Sequence, residues 1–242
     1  MNPTYLKIEV VRTFRSTRFV LFAIAFPVVM FLLQSNVFGS AEINIAAVIM
    51  VNMMVFGTFS AAMTSGGKLA LERSIGWQRQ LRLTPLSGAG YLGGKALSAM
   101  LVALPSLILV PLAGVFLQDV HLGPAAWLRL VLGIWLGAIP LVLLGLLLGQ
   151  FGTPDSMQPV SMVVTMTMGF LGGVFIPIDA MPSWMSDLAQ LTPTYWLIQL
   201  VRPAVTDHLT VSFPAALGVL AAWTAVLGAL VIRRYRKDSA RV

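Results

Sequence analysis

The sequence predicts an all-α integral membrane protein with six transmembrane helices. Three observations lead to this prediction: 57% of the 242 residues are hydrophobic, only 10% are charged, and the apolar residues are gathered into long runs. Soluble domains carry about 25% charged residues, and about 20 mostly apolar residues in a helix cross the hydrocarbon core of a bilayer. The chain has no cysteine, which excludes disulfides and thiolate metal sites. The six apolar runs lie at 19–36, 44–64, 91–117, 125–151, 156–176 and 213–232.

The basic residues orient these six spans. Fourteen of the sixteen lysines and arginines fall in the N-terminal segment, near the link between the second and third spans, or in the tail 233–242. Only Arg129 and Arg202 fall on the other side. Because positively charged connections stay in the cytoplasm, we expect a multi-pass protein of the bacterial cytoplasmic (inner) membrane with both termini cytoplasmic. A cleaved signal peptide, ending near 39–41, is the alternative for the first run, but its removal would put the two termini on opposite sides.

Three further segments are predicted outside the spans. Residues 3–17 repeat an apolar residue every four positions between basic ones, which predicts an amphipathic helix on the cytoplasmic surface. Residues 67–86 form a cytoplasmic connection rich in both charge signs, either a solvated loop or a docking element for another protein. Residues 177–205 are broken by prolines and carry Trp and Tyr, which favours short external re-entrant or interfacial helices.

The sequence contains no convincing catalytic or nucleotide-binding motif. The glycine–lysine pair at 94–95 is the end of a near phosphate loop, but Ala89 and Ala96 stand where that motif needs glycine and Ser or Thr. His121 and His208 both fall in predicted external loops and are interpreted as surface residues, so no metal site is predicted. The chain is therefore expected to be neither an enzyme nor an ATP-binding protein.

Ionisable side chains are almost absent from the six predicted spans. Lys95 and Arg129 lie near span ends, where long basic side chains can reach the headgroups, and Asn52 is the main polar residue inside a span. Ion-coupled carriers usually hold charged residues within the membrane. Their absence favours energy supplied from outside the membrane.

The fourth run contains two G-x-x-x-G patterns, at 133–137 and 145–149. Small residues at this spacing allow two membrane helices to approach closely. The pattern therefore predicts helix packing within the bundle.

Two stretches resemble ABC-2-type transporter permeases. Residues 71–76 (LERSIG) with 81–86 (LRLTPL) are similar to the segment through which that family couples to its ATPase, and 172–177 (GGVFIP) with 181–184, 191–195 and Arg202 are similar to its external hairpin. The order of the predicted elements is also that of the family. The resemblance covers nearly the whole chain.

The resemblance implies a half-transporter. A second permease chain, identical or different, and two copies of a separate ABC ATPase would complete it, with ATP and Mg²⁺ bound by the ATPase and no cofactor on this chain. The residues that the resemblance assigns to ATPase coupling are Glu72, Arg73, Gly76, Trp77, Arg79, Leu81, Thr84 and Pro85.

The resemblance also places a substrate path between the second and fifth spans of two subunits. The residues it brings toward that path are Asn52, Phe56, Phe59, Met162, Met166 and Phe170. The residues it assigns to the external hairpin are Pro177, Pro182, Trp184, Pro193, Tyr195 and Arg202.

These features together predict ATP-driven export by alternating access. The apolar spans favour a hydrophobic or amphipathic cargo such as a drug, a lipid or a peptide-like metabolite. The alternatives are an ATP-independent channel or secondary transporter, and a membrane-assembly or immunity protein that binds a partner without transport. The partners expected are the ATPase, the second permease chain and the bilayer, and no nucleic acid.

Overall fold

A computed structural model describes residues 3–38, 43–77, 88–176, 178, 181–206 and 211–239, and every regular element within these ranges is helical. Helix α2 begins at Thr17–Phe19, continues with π-helical geometry through Val20–Ala25 and ends as the α-helix Phe26–Phe38. The other helices are α1 (Pro3–Phe14), α3 (Ile43–Ser74), α4 (Gly88–Leu117), α5 (Pro124–Gly137), α6 (Ile139–Phe151), α7 (Pro154–Leu171), α8 (Ser183–Ala189), α9 (Pro193–Val201, followed by a 3₁₀ turn Arg202–Ala204) and α10 (Phe213–Ser239).

Five described segments are long and apolar enough to cross a membrane. They lie in α2, α3, α4, the α5–α6 pair and α10. The fifth predicted span, 156–176, is not among them, because the polar first turns of α7, with Asp155 and Gln158, lower the mean hydropathy of this 18-residue helix. Length and composition therefore support five spans in the described part of the chain.

Helix α3 is the centre of the bundle. It packs against α2, α4, α6 and α7, and 83% of its most apolar window is buried, against 22% for α2 and for α10. Met50, Met53 and Met54 on this helix have no exposed surface. Because close-packed interiors transmit displacement, movement of one end of α3 reaches most of the other helices.

A side-chain hydrogen bond beside a proline joins the π-helical part of α2 to α4. Pro27 has no N–H to donate to the carbonyl of Ala23, four residues earlier. The hydroxyl of Ser106, on α4, donates to that carbonyl instead. The bond satisfies a buried acceptor that the proline would leave open.

The glycine pairs of the fourth predicted span do pack closely, as their spacing predicts. A Cβ added to Gly145 or Gly149 would come closer than 3.0 Å to backbone atoms of α3, at Ala62 and Gly66 respectively. Gly133 lies against Val201 of the α9 region. Small residues thus bring α3 and α6 into backbone contact.

Three helix boundaries differ from the predicted ones. Helix α3 continues without a break through Ser74, so the first part of the predicted coupling segment forms the last turns of a spanning helix. The fourth span is interrupted at Ala138, two residues before Pro140. Helix α10 extends through four basic residues of the tail to Ser239.

Candidate functional site: a buried charge cluster at the basic end of the bundle

Lys95 of α4 is buried between two carboxylates. Its side chain is 1% exposed, and its Nζ lies 2.8 Å from Oε1 of Glu9 on α1. The same Nζ contacts Oε1 of Glu72, near the end of α3. The side chains of Glu9 and Glu72 are only 8% and 6% exposed. Three helices far apart in sequence thus meet at one ammonium group.

Hydrogen bonds extend this contact into a cluster. The hydroxyl of Tyr91 donates to Oε2 of Glu72 at 2.7 Å. Lys68 Nζ donates to the hydroxyl of Thr13, which in turn donates to the carbonyl of Glu9 at 2.8 Å. Within the described chain we define the charge cluster as these six residues: Glu9, Thr13, Lys68, Glu72, Tyr91 and Lys95.

The formal charges in the cluster balance. Glu9 and Glu72 carry two negative charges, and Lys68 and Lys95 carry two positive ones, and both carboxylates attract Lys68. A buried ion is tolerated only when it is paired and hydrogen-bonded. The cluster therefore holds α1, α3 and α4 in one arrangement and penalises any movement that separates its charges.

Sequence reasoning missed Glu9 and misread Lys95. The expectation that Lys95 reaches the headgroups is wrong, because its ammonium group is buried within the protein. A charge near the end of an apolar run is usually solvated by lipid headgroups, and the partner that changes this lies 86 residues away. The available signal was Glu9 itself, the one acidic residue of an otherwise basic amphipathic helix.

The cluster lies at the base of the predicted coupling segment. Helix α3 ends where Gly76 adopts φ +72°, a left-handed conformation suited to glycine at a helix C-terminus. The next described helix, α4, begins at Gly88. Because Glu72 binds Tyr91 and Lys95, the chain before this connection is fastened to the chain after it.

Arg73 fastens the end of α3 to a further helix. Its Nη1 donates to the carbonyl of Gln150 and lies 3.5 Å from that of Gly149, at the C-terminal end of α6. The last carbonyls of a helix lack partners within the helix and carry partial negative charge. An arginine at this position satisfies them, so the base of the segment is held to α1, α4 and α6 together.

The predicted coupling residues divide into three groups. Glu72 is buried and Arg73 is half-buried, both with partners inside the chain. Gly76 ends α3, and Trp77 is 39% exposed beside Ile75 at 62%. The remaining predicted coupling residues lie outside the described part of the chain: Arg79, Leu81, Thr84 and Pro85.

The structure places the first half of the predicted substrate path inside the bundle. Asn52, Phe56 and Phe59 on α3 are buried, at 6%, 4% and 1% exposure. Asn52 borders a cavity of about 30 Å³, together with Arg202. A cavity of that size holds a water molecule or two rather than a cargo. A path lined by these residues would have to open by rearrangement of the bundle.

The second half of the predicted path lies on α7. Met162 and Phe170 are exposed at 65% and 45%, and Met166 packs partly against the core. Phe175 lies between the two halves, with its ring centroid 5.3 Å from that of Phe56 and 5.1 Å from that of Phe170. Phe175 therefore links the two predicted groups, in addition to the direct packing of α3 against α7.

The predicted external hairpin consists of α8 and α9. Pro182 precedes α8, on which Trp184 is 63% exposed. Thr192 caps α9 through its hydroxyl, which accepts from the N–H of Tyr195, and Pro193 occupies the first turn. Tyr195 is buried and Arg202 begins the following 3₁₀ turn. Pro177 lies outside the described residues.

The fold and the cluster define a multi-pass α-helical membrane protein whose charged connection is fastened to three helices. A sequence profile of the ABC-2 type transporter family matches residues 4–205. The chain belongs to this family.

Individual relatives agree with this assignment. The chain is 30% identical over 194 residues to a protein of Bacillus subtilis (strain 168) named "Putative transport permease YvfS", and the match covers 77% of this chain and 78% of that one. It is 23% identical over 186 residues to a protein of Porphyra purpurea named "Putative transport permease ycf38". That match covers 73% of this chain and 64% of ycf38.

Proposed function

We propose that this chain is the membrane-spanning subunit of an ATP-driven exporter that moves a hydrophobic or amphipathic cargo out of the cytoplasm by alternating access. The observation that carries the proposal is the fastening of the connection after α3 to α1, α4 and α6 through the charge cluster and Arg73. A push on this connection is then delivered to the bundle as a whole. The permease itself performs no covalent chemistry, and ATP and Mg²⁺ are bound by a separate ABC ATPase.

In this proposal Glu72 and Arg73 position the docking surface rather than form it. Their charged groups are directed into the chain, whereas Ile75 and Trp77 present apolar surface to the exterior. Large exposed aromatic residues are typical anchors of protein interfaces. Trp77 is therefore the described residue best placed to contact the ATPase.

A second permease chain completes the transporter and covers α7. The exposed side of this helix carries Val160, Met162 and Val163. A contiguous apolar face of this kind marks either lipid contact or a protein interface. We place the second chain, identical or different, against α7, with the cargo path between the two copies.

The first prediction concerns Trp77. Trp77→Ala is expected to lower the affinity of the co-expressed cognate ABC ATPase by about 30-fold, because truncating an interface hot spot costs at least about 2 kcal/mol. Co-purification in detergent and permease-stimulated ATP hydrolysis measure the effect. Trp184→Ala is the control, since Trp184 is also exposed, at 63%, and lies on the predicted external hairpin. Equal losses in the two variants, or no loss in either, would contradict docking at Trp77.

The second prediction concerns topology. We propose that α7 also crosses the membrane, as the fifth of six spans, which puts Ile75 and Asp155 in the cytoplasm and Asp187 outside. A membrane-impermeant maleimide added to intact cells is expected to label Asp187→Cys alone, and to label Ile75→Cys and Asp155→Cys only after permeabilisation. The parent chain has no cysteine, so it serves as a control that the maleimide does not label. Labelling of Asp155→Cys and Asp187→Cys from the same side would show that α7 does not cross.

A secondary transporter is the second candidate, and the buried cluster is the observation that favours it. Buried ionisable groups in membrane proteins often form proton or ion relays. The proposed exporter predicts no proton flux through the purified chain alone in proteoliposomes, measured with an internal pH-sensitive dye under a pH gradient. A flux abolished by Glu9→Gln would support the secondary transporter.

A further inference from the structure

A large apolar groove lies at the opposite end of the bundle from the charge cluster. Its volume is about 1280 Å³, above the usual range of about 300–1,000 Å³ for small-molecule pockets. One wall is α5 with the start of α6, another is the end of α9 with its 3₁₀ turn, and the third is the first half of α10. The walls are apolar except at a few positions, among them Arg129.

The groove has the depth of one leaflet. Along α5 and α6 it runs from Leu128 to Pro140, and along α10 from Phe213 to Ala225. At 1.5 Å per residue each of these walls is about 18 Å long, close to half of a hydrocarbon core about 30 Å thick. Both walls belong to segments that are long and apolar enough to cross the membrane. The length and apolar lining of the groove match the acyl chains of one leaflet.

Arg129 places a positive charge at the outer end of the groove. It lies in the second turn of α5, and its side chain is exposed. The wall also contains two residues with side-chain hydroxyls, Ser212 and Thr224. The hydroxyl of Thr224 donates to the carbonyl of Leu220. A guanidinium group presents a planar fork of donors that matches a phosphate. An apolar trough of leaflet depth with a guanidinium at its mouth has the chemistry of a phospholipid.

We propose that this groove is a binding site for one phospholipid, whose acyl chains lie against α5 and α10 and whose phosphate binds Arg129. The site is separate from the charge cluster and does not depend on coupling to an ATPase. Because α9 and its 3₁₀ turn form one wall, a bound lipid also supports the position of the hairpin that ends at Arg202.

Binding of two probes to the delipidated full-length chain tests the site. The probes are palmitoyl-oleoyl phosphatidylglycerol and the diacylglycerol with the same chains, measured by native mass spectrometry in detergent. Arg129→Gln is expected to weaken phosphatidylglycerol binding about tenfold and to leave diacylglycerol binding unchanged. Arg233→Gln, at an exposed arginine on the far end of α10, is expected to change neither.

A pair of neighbouring substitutions tests the apolar trough. Ala221 and Ala222 are both exposed on α10, but only Ala221 is part of the groove wall. Ala221→Phe fills the groove and is expected to weaken both probes about tenfold, whereas Ala222→Phe leaves both unchanged. Size-exclusion profiles establish that each variant is folded.

Three results would overturn the proposal. Undiminished phosphatidylglycerol binding in Arg129→Gln would show that the arginine does not hold a phosphate. Equal effects of Ala221→Phe and Ala222→Phe would show ordinary annular lipid without a defined site. Binding of glycerol phosphate as tight as that of the whole lipid would show an anion site in which the trough takes no part.

Discussion

Lys95→Met is expected to lower the free energy of unfolding by about 3–5 kcal/mol, the cost of removing one partner from a buried ion pair. The substitution keeps the length and apolar stem of the side chain, so little packing is lost. What remains is a pair of carboxylates, Glu9 and Glu72, whose Oε1 atoms share the site that the ammonium occupied. Both are buried, so water cannot solvate them without opening the contact between α1, α3 and α4. The loss is measured as the shift in the thermal midpoint of the detergent-solubilised chain, with size-exclusion chromatography as the readout after heating.

A neutral version of the cluster separates stability from coupling. The quadruple variant Glu9→Gln, Lys68→Met, Glu72→Gln and Lys95→Met removes all four charges of the cluster, and replacing a whole buried ion pair by neutral groups is often nearly neutral for stability. Its thermal midpoint is expected to return close to that of the parent chain. If the cluster serves to transmit the push of the ATPase, ATP-dependent transport stays low in the quadruple variant. A Lys95→Met chain as stable as the parent would contradict the cluster described here.

The helices could be predicted from the sequence because each depends on a local pattern of apolar and polar residues. Long apolar runs predict where the spanning helices α2, α3, α4, α5 and α10 begin to within a few residues, although α3 and α10 continue past their predicted ends. The fifth span was harder, since α7 combines an apolar half with a polar first half. Its classification depends on what surrounds it in the membrane, which a pattern of residues does not specify.

The candidate site could be predicted only in part. The coupling stretch was found through its resemblance to a family, which assigned Glu72 to ATPase coupling and gave no indication that Glu72 is buried. Its burial follows from contacts with Tyr91 and Lys95, which the fold alone brings together. In the same way the G-x-x-x-G pattern predicted a close contact for Gly145 and Gly149, but not that Gly66 of α3 would be on the other side of it.

Gly66→Ala is expected to be the most damaging exchange of one glycine for alanine in α3. An added Cβ would lie 2.8 Å from the carbonyl carbon of Gly145 and closer still to its carbonyl oxygen. No flexible side chain is present to give way, so α3 and α6 must separate. Overpacking costs about 1–3 kcal/mol where side chains can adjust, and we expect a loss at or above the upper end of that range. Thermal midpoints in detergent measure it.

Gly67→Ala is a matched control for this steric effect. The two glycines are neighbours in the same helix, and a Cβ at Gly67 meets nothing within 4 Å. Alanine favours the helix over glycine by about 1 kcal/mol at either position, so Gly67→Ala is expected to be neutral or slightly stabilising, and the difference between the two variants isolates the contact with α6. Gly66 lies two turns before Arg73, which holds the end of α6. Separation of α3 from α6 at Gly66 therefore also loosens the base of the coupling connection, and ATPase stimulation is expected to fall with the thermal midpoint in Gly66→Ala but not in Gly67→Ala. Equal midpoints for the two variants would mean that the backbones of α3 and α6 are not in contact.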